Sequence, residues 1–308
     1  MDIILHVGAH RTATTRFQRM LGHNNPALTA AGMAYWGPKR LRAGLFQGLY
    51  RRDDALLPWQ TRKRVGRVRL QADIVAQSGA GTLIVSDENM IGTMEGVLQD
   101  GQLYAFGGTR AARFADGFAG HTVTVGIGLR SYDAFWASVL AFRLIRGGPL
   151  PTPALCDRLI MQPRRWRHVI ADLAQAMPFA RIAVWTHEAM ADRPGELFAR
   201  LTGRHVALRR AGLCQNAAPG VAALQTYLAD CAIDPGIIGD AGGRFMPFDA
   251  MQRTILRAQY ADDIAWLAGG AGGLADYLDK AGAATHGRTR QQRGTNNGQE
   301  HRDLAQPG

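Results

Sequence analysis

The chain has 308 residues, a formal net charge of +11 and 46% hydrophobic residues. That length can bury a large core, and the scattered glycines argue against collagen-like or repeat architectures. Three cysteines far apart (Cys156, Cys214 and Cys231), with no CxxC pair, argue against a disulfide framework and a structural zinc site.

Nearly all of the positive charge is arginine; the only lysines are Lys39, Lys63 and Lys280. Arginine presents a planar fork that suits phosphate and carboxylate groups, so a basic surface points to anionic ligands. The alternative is a composition that writes arginine on every solvated face.

The first element, "IILHV" (3–7), is too short for the core of a signal peptide and reads as a strand. "TLIVS" (82–86), "TVTVGIGL" (122–129) and "RIAVW" (181–185) read the same way, as short apolar runs of buried strands. Amphipathic segments at 14–22, 61–78, 131–146, 163–176, 194–202, 216–231 and 248–268 predict helices, punctuated by Pro163, Pro178 and Pro194. Such alternation predicts an α/β fold: a parallel β-sheet flanked by helices on both faces. Segment 37–60, rich in Gly, Arg and aromatics, reads as an irregular loop. From residue 281 the chain is polar and aperiodic, which predicts a disordered tail (281–308) after one domain (1–280). No stretch approaches eighteen apolar residues, so no membrane span is expected and the protein is read as cytoplasmic.

The loop after the first strand carries the chemistry. "HVGAHRTATTRFQ" (6–18) runs from a strand through small residues into a helix, which aims free backbone N–H groups at an anion. Gly8 and Thr15 fit the ends of the Walker pattern, but Ala13 and Thr14 stand where an ATP-binding loop has glycine and lysine. The ATP machinery is therefore missing. Thr12, Thr14 and Thr15 supply hydroxyls and Arg11 supplies a cation.

This stretch resembles the 5′-phosphosulfate loop of sulfotransferases that use 3′-phosphoadenosine 5′-phosphosulfate (PAPS), in its bacterial and heparan-type form H-x-G-x-x-K-T-G-T-T-x-x-Q. Arg11 takes the place of the family's lysine and Ala13 that of its middle glycine. The resemblance implies a P-loop NTPase-like, three-layer sulfotransferase fold. It also implies that His10, Arg11, Thr12, Ala13, Thr14 and Thr15 bind the nucleotide, with Arg11 at the phosphosulfate. "LRSYDAFWAS" puts Arg130 at a strand end and Ser138 eight residues on, the spacing with which the family holds the 3′-phosphate. "AVWTHEAMADRPGELFARLTG", with Glu188, and "FDAMQRTILRAQYADDIAWLAG", with Tyr260 and Asp263, resemble the family's later segments. The family's C-terminal Arg-Lys-Gly segment is not visible; Arg209, Arg210 and Arg244 are candidates to replace it.

Sulfuryl transfer to a hydroxyl needs a base, and requires no metal. "LIVSDENM" sets Asp87 and Glu88 at a strand end, the ligand edge of an open α/β sheet. The resemblance implies a histidine or glutamate base in this region, and Glu88 is taken as that base, with Asp87, His10 and His187 as alternatives. The expectation is thus a PAPS-dependent sulfotransferase acting on a carbohydrate or small-molecule hydroxyl, with no nucleic-acid partner. The rivals are a P-loop kinase and a non-catalytic polyanion-binding module.

Overall fold

The computed structural model describes residues 1–50, 58–209, 219–239 and 242–279. The expected tail at 281–308 and Cys214 lie outside the described residues.

Six strands form one all-parallel sheet in the order β2-β3-β1-β4-β5-β6. They are β1 (Asp2–His6), β2 (Met33–Trp36), β3 (Thr82–Ser86), β4 (Thr122–Leu129), β5 (Arg181–Thr186) and β6 (Asp276–Tyr277). The four apolar runs form the four central strands. Their middles are apolar on both sides because both faces are covered. Ile3 and Leu5 join Leu83, Val85, Val123 and Val125 in one core layer. On the opposite face Ile4, Ile84 and Trp185 meet Phe17 and Leu21 of helix α1 (Thr14–His23) and Leu197, Phe198 and Leu201 of the helix Pro194–Thr202. The expected α/β architecture with helices on both sides is present.

Two strands and several helices go beyond the sequence reading. The edge strands β2 (MAYW) and β6 (DY) contain four and two residues and no β-branched side chain, so they give no pattern. The helices Met94–Asp100, Gly107–Ala115 and Pro153–Met161 were also not expected. Thr93 and Thr152 cap the first and third through their side chains. Segment 37–60 is not one irregular loop. It opens with a short helix, Pro38–Arg40, that runs into a π turn, Leu41–Leu45, and it ends in the helix Pro58–Gln77. Leu41, Leu45, Phe46 and Leu49 recur on one helical face and are buried, which anchors the segment on the core.

The connection after β1 leads towards β2 on one side of the sheet, whereas the connection after β4 leads towards β5 on the other. The carboxyl ends of β1 and β4 therefore flank a topological switch point, where open α/β sheets form their ligand crevice. No helix among the described residues is long and apolar enough to cross a membrane.

Candidate functional site

Residues 7–13 link β1 to α1 with an unusual backbone. Gly8, Arg11 and Ala13 all have positive φ, at 56°, 64° and 68°. At Gly8 a side chain is sterically barred as well, since a Cβ there would strike the Thr14 methyl group. Left-handed residues in a turn help to swing successive N–H groups towards one concavity, a ready anion cradle. The turn is braced from within: the Thr12 hydroxyl donates to the Ala9 carbonyl at 2.7 Å and accepts from the Ala9 N–H at 3.3 Å. The N–H groups of Thr12, Ala13 and Thr14 donate to no group among the described residues. They sit at the positive end of α1, so the loop has the donors an anion requires.

The surroundings fix that loop. A Cβ at Gly128 of β4 would lie 2.8 Å from Trp185 Nε1 and 3.1 Å from Thr12 Oγ1, so glycine lets the loop and Trp185 approach the strand. His10 is buried, and Tyr104 holds it twice. The Tyr104 hydroxyl accepts from the His10 N–H at 2.7 Å and lies 2.9 Å from Nδ1, while Nε2 lies 3.1 Å from Asn89 Oδ1. A neutral ring that accepts at Nδ1 and donates from Nε2 satisfies all three contacts. Burial lowers the His10 pKa against the pull of Glu88, which agrees with that neutral form. His10 therefore orients the loop rather than offering a free base.

The two nucleotide motifs meet. Arg11 Nε donates to Ser138 Oγ at 2.8 Å, and Arg130 Nη1 donates to the Arg11 carbonyl at 2.8 Å. Ser138 lies on the helix Tyr132–Leu144, one turn before Phe142, whose ring centroid is 5.1 Å from the Arg11 guanidinium carbon and 3.9 Å from that of Arg146. Burial first, then the charges of Arg130 and Arg146, pull the Arg11 pKa down to about 10. Arg130 is lowered too, mainly by burial, with Arg244 acting in the same direction and Glu188 against it. Of the three arginines proposed for the missing C-terminal segment, Arg244 is the one whose charge reaches Arg130. Arg210 lies outside the described residues, and the Arg209 backbone is bonded to Asn24, donating to Oδ1 at 2.8 Å.

Asp87 and Glu88 follow β3 and differ sharply. The Asp87 side chain is 0% exposed. Its Oδ1 accepts from Arg42 Nη2 at 2.7 Å and the Asn89 N–H at 3.0 Å, and its Oδ2 from Arg42 Nε at 2.9 Å and the Tyr50 hydroxyl at 2.7 Å. Its accepting positions are full. Among the described residues Glu88 has one side-chain partner on each oxygen: Arg42 Nη2 at 3.0 Å from Oε1 and Gln18 Nε2 at 2.8 Å from Oε2. Burial pushes the Glu88 pKa up, but His10, Arg42, Gln18 and the backbone outweigh it, and the net shift is downward. Arg42 and Gln18 are the side chains that bond Glu88 directly, and both favour its ionised form. Of the two carboxylates, Glu88 keeps unused lone pairs and Asp87 is a structural cap and counter-ion.

Beyond the loop, Glu188 accepts from the Ser131 N–H at 3.0 Å and from the Tyr260 hydroxyl at 2.9 Å. Asp263 accepts from the Tyr132 hydroxyl, from the Trp166 N–H at 3.1 Å and from Arg167 Nε at 2.5 Å, while Trp166 Nε1 donates to the Arg130 carbonyl at 2.9 Å. These late segments thus brace the turn that carries Arg130. His187 also lies here. Burial, then Arg130, lowers its pKa to about 4, which makes it neutral at ordinary pH.

A cleft of about 680 Å³ opens beside α1, lined by Thr15, Gln18, Arg19, Tyr35, Lys39 and Arg40 among others. It shares Gln18 with the Glu88 contact. A second cleft, of about 550 Å³, is lined by Arg165, Arg167, His168, Asp262 and Ala265 and contains none of the residues assigned to the nucleotide or to the base.

Sequence reasoning brought His10, Arg11, Thr12, Ala13, Thr14, Thr15, Glu88, Arg130 and Ser138 to one edge, and missed Arg42, Tyr50 and Tyr104. Gln18 was visible as the last residue of the loop motif, but without its contact to Glu88. Searches of protein-family models, curated proteins and solved structures find no match to this chain.

Proposed function

We propose that the protein is a sulfotransferase that moves the sulfuryl group of PAPS to a hydroxyl of a carbohydrate or small-molecule acceptor. One observation carries the reading. Arg11 of the first motif donates to Ser138 of the second, 127 residues on, and Arg130 braces Arg11, so the two motifs form one cationic seat beside a loop whose N–H donors are unused among the described residues. A nucleotide with anionic groups at both ends of its ribose fits that pairing of sites.

In the reaction, the acceptor oxygen bonds to sulfur as the sulfur–oxygen bond to the 5′-phosphate breaks. The products are the sulfate ester and 3′,5′-adenosine bisphosphate. Glu88 takes the acceptor's proton, and the loop N–H groups and Thr hydroxyls stabilise the charge that grows on the leaving phosphate. The cleft that shares Gln18 with Glu88 is the proposed acceptor entrance. In this reading the protein is cytoplasmic and needs no metal for transfer.

Calorimetric titration tests it. The bisphosphate is expected to bind at least about tenfold more tightly than AMP, since a charge-assisted bond contributes about 1.5–3 kcal/mol. Equal binding of the two removes the PAPS assignment. Tight binding of ATP only in the presence of Mg²⁺ would favour a kinase instead.

A further inference from the structure

The cationic seat is richer than the sequence motif that located it. Ser138, Phe142 and Arg146 are spaced by four, so they form one stripe along the helix Tyr132–Leu144 and just past its end. Arg11 and Arg146 both lie over the Phe142 ring. The Ser138 hydroxyl is buried and is met by Arg11 Nε. Among the described residues, neither Arg130 nor Arg146 pairs with a carboxylate. The acidic groups nearest to Arg130 are committed elsewhere: Glu188 to Ser131 and Tyr260, and Asp133 to Arg257 at 2.6 Å. The charges of Arg130 and Arg146 both bear on Arg11, and a bound dianion relieves that repulsion.

We propose that Arg11 serves the 3′-phosphate of the nucleotide, not the 5′-phosphosulfate, and shares that seat with Arg130, Ser138 and Arg146. The inference rests on the PAPS reading above but departs from what the loop motif implies for position 11. A lysine at that position carries one terminal charge. The longer, forked arginine reaches sideways from its left-handed backbone to the helix that bears Ser138. The 5′ end is then left to the loop's N–H groups and hydroxyls, and the ligand class that this seat selects is a ribose phosphate monoester.

The test compares three probes on the full chain by calorimetry: 3′,5′-adenosine bisphosphate, AMP and adenosine 5′-phosphosulfate. The last two lack the 3′-phosphate. Arg11→Ala is expected to weaken the bisphosphate about 10- to 100-fold and to change the other two by less than about twofold, so the wild-type preference collapses. Arg146→Ala is expected to weaken the bisphosphate alone, by about three- to tenfold for a more exposed charge. Arg11→Lys keeps the charge but loses the Nε donor. It guards against a folding failure of the alanine variant and should cost the bisphosphate about three- to tenfold, again without affecting AMP. If Arg11→Ala or Arg11→Lys weakens all three probes by the same factor, Arg11 serves the 5′ end and the proposal is overturned. A wild-type protein that binds bisphosphate and AMP equally overturns the PAPS reading itself, which is a different failure.

Discussion

Replacing Arg42 with Met tests the electrostatics around the proposed base. Arg42 makes three charge-assisted bonds, two to the Asp87 carboxylate and one to Glu88. Asp87 would keep the Tyr50 hydroxyl and the Asn89 N–H but lose the one cation it pairs with among the described residues. Breaking a buried pair by removing one partner costs roughly 3–5 kcal/mol. Because the Arg42 side chain is 42% exposed, water already reaches part of it, and the cost is discounted to about 2–3 kcal/mol. In urea monitored by fluorescence of the buried tryptophans, that corresponds to a midpoint lowered by about 1 M. The double variant Arg42→Met/Asp87→Asn should cost less than the two single variants added together, because each removes the other's partner. An unchanged midpoint, or strictly additive costs, would refute the account. Activity reads the Glu88 contact separately. A cation stabilises the ionised carboxylate, so its removal raises the Glu88 pKa towards the ordinary glutamate value. The acid limb of the pH–rate profile should therefore move to higher pH in the variant. In the wild type, the stability that Glu88 contributes is present above the ordinary glutamate value and is lost as pH falls through the depressed one.

Two further outcomes are expected. Glu88→Gln keeps the shape but cannot take a proton, so bisphosphate affinity should be nearly unchanged while transfer slows by roughly 10²–10⁴-fold in single-turnover assays; a proportionate loss of binding and rate would mean that Glu88 is structural. Ala13→Gly should raise the melting temperature slightly. A left-handed alanine costs roughly 1–2 kcal/mol, and the greater unfolded-state freedom of glycine returns about half of that. A lower melting temperature would mean that the Ala13 methyl group is packed, not merely tolerated.

The central sheet was legible because its strands are buried on both faces, and four continuous apolar runs have few other uses in a chain of this size. The edge strands were not, because pairing on one side only asks little of a four-residue MAYW or a two-residue DY. The loop at 8–15 and the Arg130–Ser138 pair were legible as local patterns. What joined them was not. The Arg11–Ser138 bond spans 127 residues and depends on where an arginine side chain turns after a left-handed backbone residue. Arg42 was hidden for another reason. It lies in a π turn within a Gly- and Arg-rich stretch, where the anchoring signal was the spacing of Leu41, Leu45 and Leu49, not the charged residue between them.

The site separates its charges in a way that suits its proposed chemistry. An anionic nucleotide and an ionised base must share a small volume, and in a medium of low dielectric they repel strongly. On one side, Arg11, Arg130 and Arg146 gather positive charge at the second motif. On the other, Arg42 lies against both Asp87 and Glu88 and cancels part of their negative charge. His10, next to Arg11 in the loop and bonded to Asn89, is kept neutral by burial and fixed by Tyr104. A charged histidine there would bind the carboxylate and blunt it as a base; a neutral one leaves the field to the two arginine groups. Arg42 thus does two things at once. It lowers the repulsion that Glu88 exerts on an incoming phosphosulfate, and it weakens Glu88 as a base by the same interaction. The first favours binding and the second slows proton transfer, so a variant at Arg42 should move nucleotide affinity and the pH–rate profile in a linked way that no purely structural residue would produce.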